Sequence, residues 1–287
     1  MVQLALPVRI VNVASVPQRS PFRYPGGKTW LVPEIRDWLG SQGRRPRLLV
    51  EPFAGGGIVS LTAVFENFVD RAVMIELDEQ VASVWLTILS DGWSWLTERI
   101  LNFVITQETV QRELTHIPQD TRERAFQTIL KNRVVRAGIL APGANVLRYG
   151  EGGKGLASRW YPDTLVRRIR DIARLRERFT FIHGDGLAEL QRWSNDAGAV
   201  FFIDPPYSAG GKRAGVRLYT HSEVNHRELF RTATRLVGDF LITYDDALEV
   251  RRMARRRNLE IRRIAMHSSH HAAMIELLIG RNLAWVG

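Results

Sequence analysis

The chain of 287 residues contains no cysteine, which excludes disulfide frameworks, thiolate zinc sites and cysteine nucleophiles. It also lacks any run of about 20 apolar residues, the length needed to cross a bilayer. Residues 1–20 have neither a basic start nor a continuous apolar core, so the expectation is a soluble, cytoplasmic protein, nucleoid-associated through DNA. Internal repeats and low-complexity tracts are missing too. Of the seven histidines, only His270 and His271 resemble a metal-binding pair, and no third ligand lies near them in sequence. Loop polarity explains that pair, and no metal is expected. Acidic residues are in deficit, with 30 Asp and Glu against 40 Lys and Arg, a formal net charge of +10. A basic surface gains affinity for polyanions by releasing their counter-ions, so nucleic acid leads as a partner and a membrane is not expected.

What is present is a strand–helix alternation. Strand signals fall at 47–51, 72–76, 179–183, 199–203, 239–244, 259–266 and 273–280, with helical stretches between most of them, as an α/β doubly wound sheet requires. Only the short polar loop 267–271 separates the last two, which predicts an antiparallel hairpin at the sheet edge. Between 91 and 178 the alternation stops. That stretch reads as largely helical and basic, broken by Pro118, Pro142 and the glycines 150, 152, 153 and 155. The expected organisation is a core of residues 1–90 and 179–287 interrupted by an inserted helical lobe, 91–178.

Asp204, Pro205, Pro206 and Tyr207 follow the apolar run 199–203. With each residue used at about 5 %, such a tetrapeptide arises by chance only a few times per million positions. Open α/β sheets bind ligands just beyond the carboxyl ends of their strands, where Asp204 would sit. Two prolines fix φ near about −65° and supply no N–H, leaving a stiff loop with carbonyls to offer. Upstream, Glu51 to Gly57 ends in three glycines, which let a ligand approach the backbone closely. Glu76 closes the next strand, where a carboxylate can accept bonds from both hydroxyls of a ribose. A nucleoside ligand is implied. Taken alone the arrangement also suits NAD, although it is not GxGxxG and shows no pyrophosphate cradle. Before the first strand, Phe22 to Lys28 combines aromatics, a glycine pair and a lysine.

In that order, Tyr24 to Lys28, Glu51 to Gly57, Glu76 and Asp204 to Tyr207 resemble the Dam-like (D12 class, α group) DNA adenine-N6 methyltransferases, over nearly the whole chain. The resemblance implies an S-adenosylmethionine-dependent methyltransferase sheet with a helical DNA-recognition insertion. It implies that Tyr24, Lys28, Phe53, Ala54, Gly55, Gly57, Glu76, Asp185 and Asp204 contact S-adenosylmethionine. Asp204, Pro205, Pro206 and Tyr207 become the catalytic group, with the Asp204 carboxylate and Pro205 carbonyl accepting the two N–H bonds of an adenine amine and Tyr207 stacking on the base. A base within duplex DNA must be flipped out to reach such a pocket. Two positions depart from the pattern: the family usually has Asp-x-Asn where this chain has Glu76, Leu77, Asp78, and Tyr24 replaces a commoner tryptophan. Asp at 204 disfavours the NPPY glutamine and SPPY cytosine-N4 forms. Cytosine-N4 DNA methylation, adenine-N6 RNA methylation and an inactive DNA-binding module are the rival readings.

Double-stranded DNA is the expected partner of a monomer, with a restriction endonuclease as a candidate second partner. Candidate DNA contacts are Arg133, Arg136, Arg148, Lys154 and Arg159, in a segment loosely similar to the family's DNA-entering loop, for which a solvated helix face is the alternative. Lys212 and Arg213 join them from the glycine-bearing loop 208–221, which reads as a lid over DNA. Segment 163–178 reads first as an amphipathic helix, and Arg251, Arg252, Arg255, Arg256 and Arg257 as charge on an outer helix.

Overall fold

Seven short runs pair into one sheet: β1 (Leu48–Glu51), β2 (Arg71–Glu76), β3 (Phe179–His183), β4 (Ala199–Ile203), β5 (Phe240–Asp245), β6 (Glu260–His267) and β7 (Ala273–Gly280). The computed structural model describes residues 16–23, 27–141, 144–206, 224–267 and 273–286. Across the sheet the order is β3-β2-β1-β4-β5-β7-β6. The first five strands are mutually parallel, and β7 runs antiparallel to both β5 and β6. All seven expected strands are present, within a residue or so of their predicted ends.

Placement of the hairpin is more specific than the sequence suggested. β7 inserts between β5 and β6 and leaves β6 outermost. The side chains account for this: Leu277, Leu278 and Ile279 of β7 are fully buried, whereas β6 carries Glu260, Arg262 and Arg263, charges that suit an edge strand.

Alternation along each strand feeds two cores. On one face Leu49, Met74, Val200, Phe202, Leu241 and Leu278 meet α1 (Val32–Gly40), α2 (Ile58–Phe65) and α3 (Glu79–Leu89). On the other, Val50, Val73, Phe201, Ile203, Phe240 and Ile242 meet α8 (Gly186–Leu190), α9 (His226–Arg235) and α10 (Leu248–Arg255). Every residue of β4 is buried, which explains its unbroken apolar run: helices cover both faces of a parallel sheet.

The stretch between β2 and β3 adds α4 (Gly92–Asn102), α5 (Gln107–Thr115), α6 (Thr121–Val134) and α7 (Pro162–Arg174). Leu96, Ile100, Phe126, Ile129, Leu165 and Ile169 join the same buried cluster as α1 to α3. These helices form a further layer over α3, with no separate core among the described residues. No described helix is long and apolar enough to cross a membrane.

Strand order reverses between β1 and β4, and such a switch point opens a crevice at the carboxyl ends of the two strands.

Candidate active site

A cavity of about 570 Å³ occupies that crevice. Its floor is the turn after β1. There the Ala54 N–H donates to the Ile75 carbonyl at 2.9 Å and the Gly57 N–H to the Ala54 carbonyl at 2.7 Å. Buried Trp85 of α3 holds the turn from below, its indole N–H donating to the Gly55 carbonyl at 2.9 Å. Gly57 has φ +62°, and a Cβ there would lie 2.9 Å from the Trp85 ring, so this position excludes any side chain on two counts.

Two glutamates support the turn. Glu76 ends β2 with Oε2 accepting from the Gly55 N–H at 2.8 Å and Oε1 accepting from the Leu77 and Asp78 N–H groups at 2.9 Å each. Burial raises its carboxyl above the usual range, while those backbone bonds pull the other way. Glu51 accepts from both the backbone N–H and the hydroxyl of Ser60. Burial pushes its carboxyl up to about 8. Asp185 borders the cavity as the N-cap of α8, taking the Leu187 and Ala188 N–H groups on Oδ1 at 2.8 and 3.0 Å.

At the end of β4, Asp204 is held from two sides. The Lys28 ammonium lies 2.9 Å from Oδ2, and the Thr243 hydroxyl of β5 donates to Oδ1 at 2.6 Å. Lys28, only 3 % exposed, also lies 3.7 Å from Oε2 of Glu276 on β7. Burial pushes the Glu276 carboxyl up to about 7, against the lowering pull of Lys28. The four side chains come from the segment before α1 and from three adjacent strands. Neither Thr243 nor Glu276 stood out in the sequence. The usable signal was Glu276 itself, the lone acid in the apolar run of β7.

Of the predicted cofactor and catalytic residues, Lys28, Phe53, Ala54, Gly55, Gly57, Glu76, Asp185, Asp204, Pro205 and Pro206 line this one cavity. Tyr24 and Tyr207 lie outside the described residues, as do Lys212, Arg213, the expected lid 208–221 and the pair His270 and His271. Asp78, which departs from the family pattern, caps α3 by accepting the Gln80 and Val81 N–H groups.

The DNA candidates divide. Arg136, Arg148 and Lys154 are exposed, and Arg159 borders the cavity. Arg133 differs from these in placement: it is 6 % exposed and donates to the Pro21 carbonyl, so any contact it makes is from the cavity wall and not from the outer surface. Its neighbour Asn132 likewise enters nothing. Fully buried, Asn132 accepts the Arg23 N–H at 2.9 Å and donates to the carbonyls of Arg23 and Gly138 at 2.9 and 2.8 Å. It thereby clamps the chain at Arg23, a few residues before Lys28. On α10, Arg251 is engaged with the Asp246 carboxylate. Among the described residues no group of three or more His, Asp or Glu is arranged to hold a metal.

Comparison with solved structures finds similarity to a protein of Pyrococcus horikoshii described as an RNA methyltransferase, at 11 % identity and TM-score 0.39, covering 90 % of this chain and 84 % of that one. The rRNA methyltransferase aviRa of Streptomyces viridochromogenes gives 14 % identity and TM-score 0.38, covering 90 % and 86 %. A precorrin-6y C5,15-methyltransferase of Geobacter metallireducens gives 10 % and 0.37, covering 86 % and 87 %. A search of curated proteins finds no significant match. The model of one family, D12 class N6 adenine-specific DNA methyltransferase, matches residues 24–261, a span that runs from the lysine segment through the glycine turn and Asp204 into β6. The chain is therefore a member of the D12 class N6 adenine-specific DNA methyltransferase family.

Proposed function

We propose that this chain methylates the exocyclic N6 of an adenine flipped out of duplex DNA, at a short specific sequence, with S-adenosylmethionine as donor. The carrying observation is Asp204, whose carboxylate is fixed by Lys28 and Thr243 at the rim of a cavity floored by the glycine turn. The cavity suits the donor: Gly55, Gly56 and Gly57 line it, letting a ligand approach the backbone closely, and a carboxylate, Glu76, ends the neighbouring strand where a ribose diol can be met. Gly55, Gly57, Glu76 and Asp185 would hold the nucleoside portion. S-adenosylmethionine supplies an electrophilic methyl group on a sulfonium sulfur.

The rest falls to the protein. An adenine amine is a weak nucleophile because its lone pair is delocalised into the ring. Asp204 accepts one N–H and the Pro205 carbonyl the other, drawing the nitrogen toward tetrahedral geometry and orienting it. Lys28 and Thr243 preset the carboxylate, so little reorganisation is needed when the base arrives. The proton leaving nitrogen has Asp204 as its nearest acceptor. Residues 91–178 supply the DNA-recognition layer in this reading, with Arg136, Arg148 and Lys154 as exposed phosphate contacts.

Incubation with labelled donor and mixed-sequence duplex, followed by nucleoside analysis, should yield N6-methyladenine. N4-methylcytosine, or label in RNA alone, would redirect the assignment. Asp204→Ala should cut transfer by about 100- to 1000-fold or more while sparing nonspecific DNA binding; near-normal turnover would refute the mechanism.

A further inference from the structure

Two guanidinium groups face the cavity without a carboxylate to answer them among the described residues: Arg133 of α6 and Arg168 of α7. Each spends one nitrogen on a neighbouring backbone carbonyl, Arg133 on Pro21 and Arg168 on Ser20, the latter at 3.0 Å. These acceptors are consecutive residues, so both side chains are anchored to the same stretch of chain. The Arg133 Nε is buried and has no hydrogen-bond partner. Arg23 and Arg159 add further positive charge to the same wall.

Burial, together with the fields of Arg168 and Arg23, holds the Arg133 guanidinium down to about 9, and burial lowers Arg168 as well, helped by Arg167. Removing a cation from water without a counter-ion is costly. Two like cations sharing one wall compound the cost, and a lost neighbour would relieve it. An arrangement of this kind is favourable once an anion enters, because the planar fork of arginine matches a carboxylate or phosphate at two points.

We propose that Arg133 and Arg168 form an oxyanion subsite of the cavity, which receives a carboxylate or phosphate group of a bound ligand. This rests on the methyltransferase reading and extends it. Two sources have that chemistry: the amino-acid carboxylate of the methyl donor, and a backbone phosphate of the DNA strand that delivers the base.

The test uses the full chain with Arg168→Gln, because Arg168 is only half-buried, plus Arg168→Lys and the exposed Arg170→Gln for comparison. Binding of S-adenosylhomocysteine, of 5′-methylthioadenosine, which lacks the amino acid, and of a duplex oligonucleotide is measured by calorimetry across a salt series. If the carboxylate is the occupant, Arg168→Gln weakens S-adenosylhomocysteine by about tenfold or more and leaves methylthioadenosine unchanged, with Arg168→Lys between. If a phosphate is the occupant, S-adenosylhomocysteine is unaffected, duplex affinity falls, and the slope of its logarithm against log salt shrinks by about one. The subsite is refuted if Arg168→Gln binds all three ligands as Arg170→Gln does, or if both nucleosides weaken equally. Wild-type protein that methylates adenine while Arg168→Gln binds normally refutes the subsite alone. Wild-type protein that binds none of the ligands refutes the functional reading and the subsite with it.

Discussion

Lys28 stands between two carboxylates, and its neighbours determine how the site responds to pH. Glu276, at about 7, and Glu51, at about 8, both sit above the ordinary glutamate value of 4.5. Each therefore holds its proton more tightly in the folded chain than in the unfolded one. Their contribution to stability is complete below the unfolded value and is lost as pH rises through 7 and 8. Melting temperature should thus decline from about pH 5 to about pH 9, and Glu51→Gln, which can still accept from Ser60, should make that decline shallower. An identical slope in the variant would show that Glu51 is already ionised. Lys28 and Asp204 were legible in the sequence because each lies in a short, chemically distinctive run. Glu276 was not, because its approach to Lys28 depends on β7, and not β6, pairing with β5, a choice left open by a hairpin expected only to close the sheet edge.

Among the elements, α8 and the β1 turn interlock closely. A Cβ on Gly186 would fall 1.8 Å from the Pro52 carbonyl oxygen, so the start of α8 and the start of the glycine turn share one space. Gly186→Ala should force them apart, costing about 1–3 kcal/mol in urea unfolding and weakening S-adenosylhomocysteine binding through the displaced turn. Gly43→Ala, with nothing within 4 Å of the added carbon, serves as the comparison, and equal stability of the two variants would contradict the interlock. Strands were readable from their apolar runs, whereas Asp78 and Asp185, read in the sequence for their place in the family pattern, turn out to be the caps that start α3 and α8. What the residues between 91 and 178 pack against was less readable: an apolar helical stripe announces a partner without naming it, and here the partner is α3 and its neighbours.

For the molecule as a whole, the net charge of +10 predicts DNA affinity that falls steeply with salt, since each neutralised phosphate releases counter-ions. The structure localises the test. Replacing exposed Arg136, Arg148 and Lys154 with glutamine should reduce the log–log slope by about 3, one for each lost phosphate contact. The same change at exposed Arg252 and Arg255 of α10 and Arg256 at its end should alter it far less, because those side chains act only at long range. Equal effects from the two sets would remove the basis for placing DNA beside the α6–α7 connection.

The Asn132 clamp bears on how such an enzyme could be retargeted. A recognition segment joined to its host only at the two cut points could be exchanged like a cassette, giving a new target with the old chemistry. Here Asn132 satisfies the backbone of Arg23, and Arg133 and Arg168 satisfy Pro21 and Ser20. If residues 91–178 read the DNA as proposed, a foreign insertion would leave that arm unpartnered a few residues before Lys28, so a change of target would carry a change in catalysis with it.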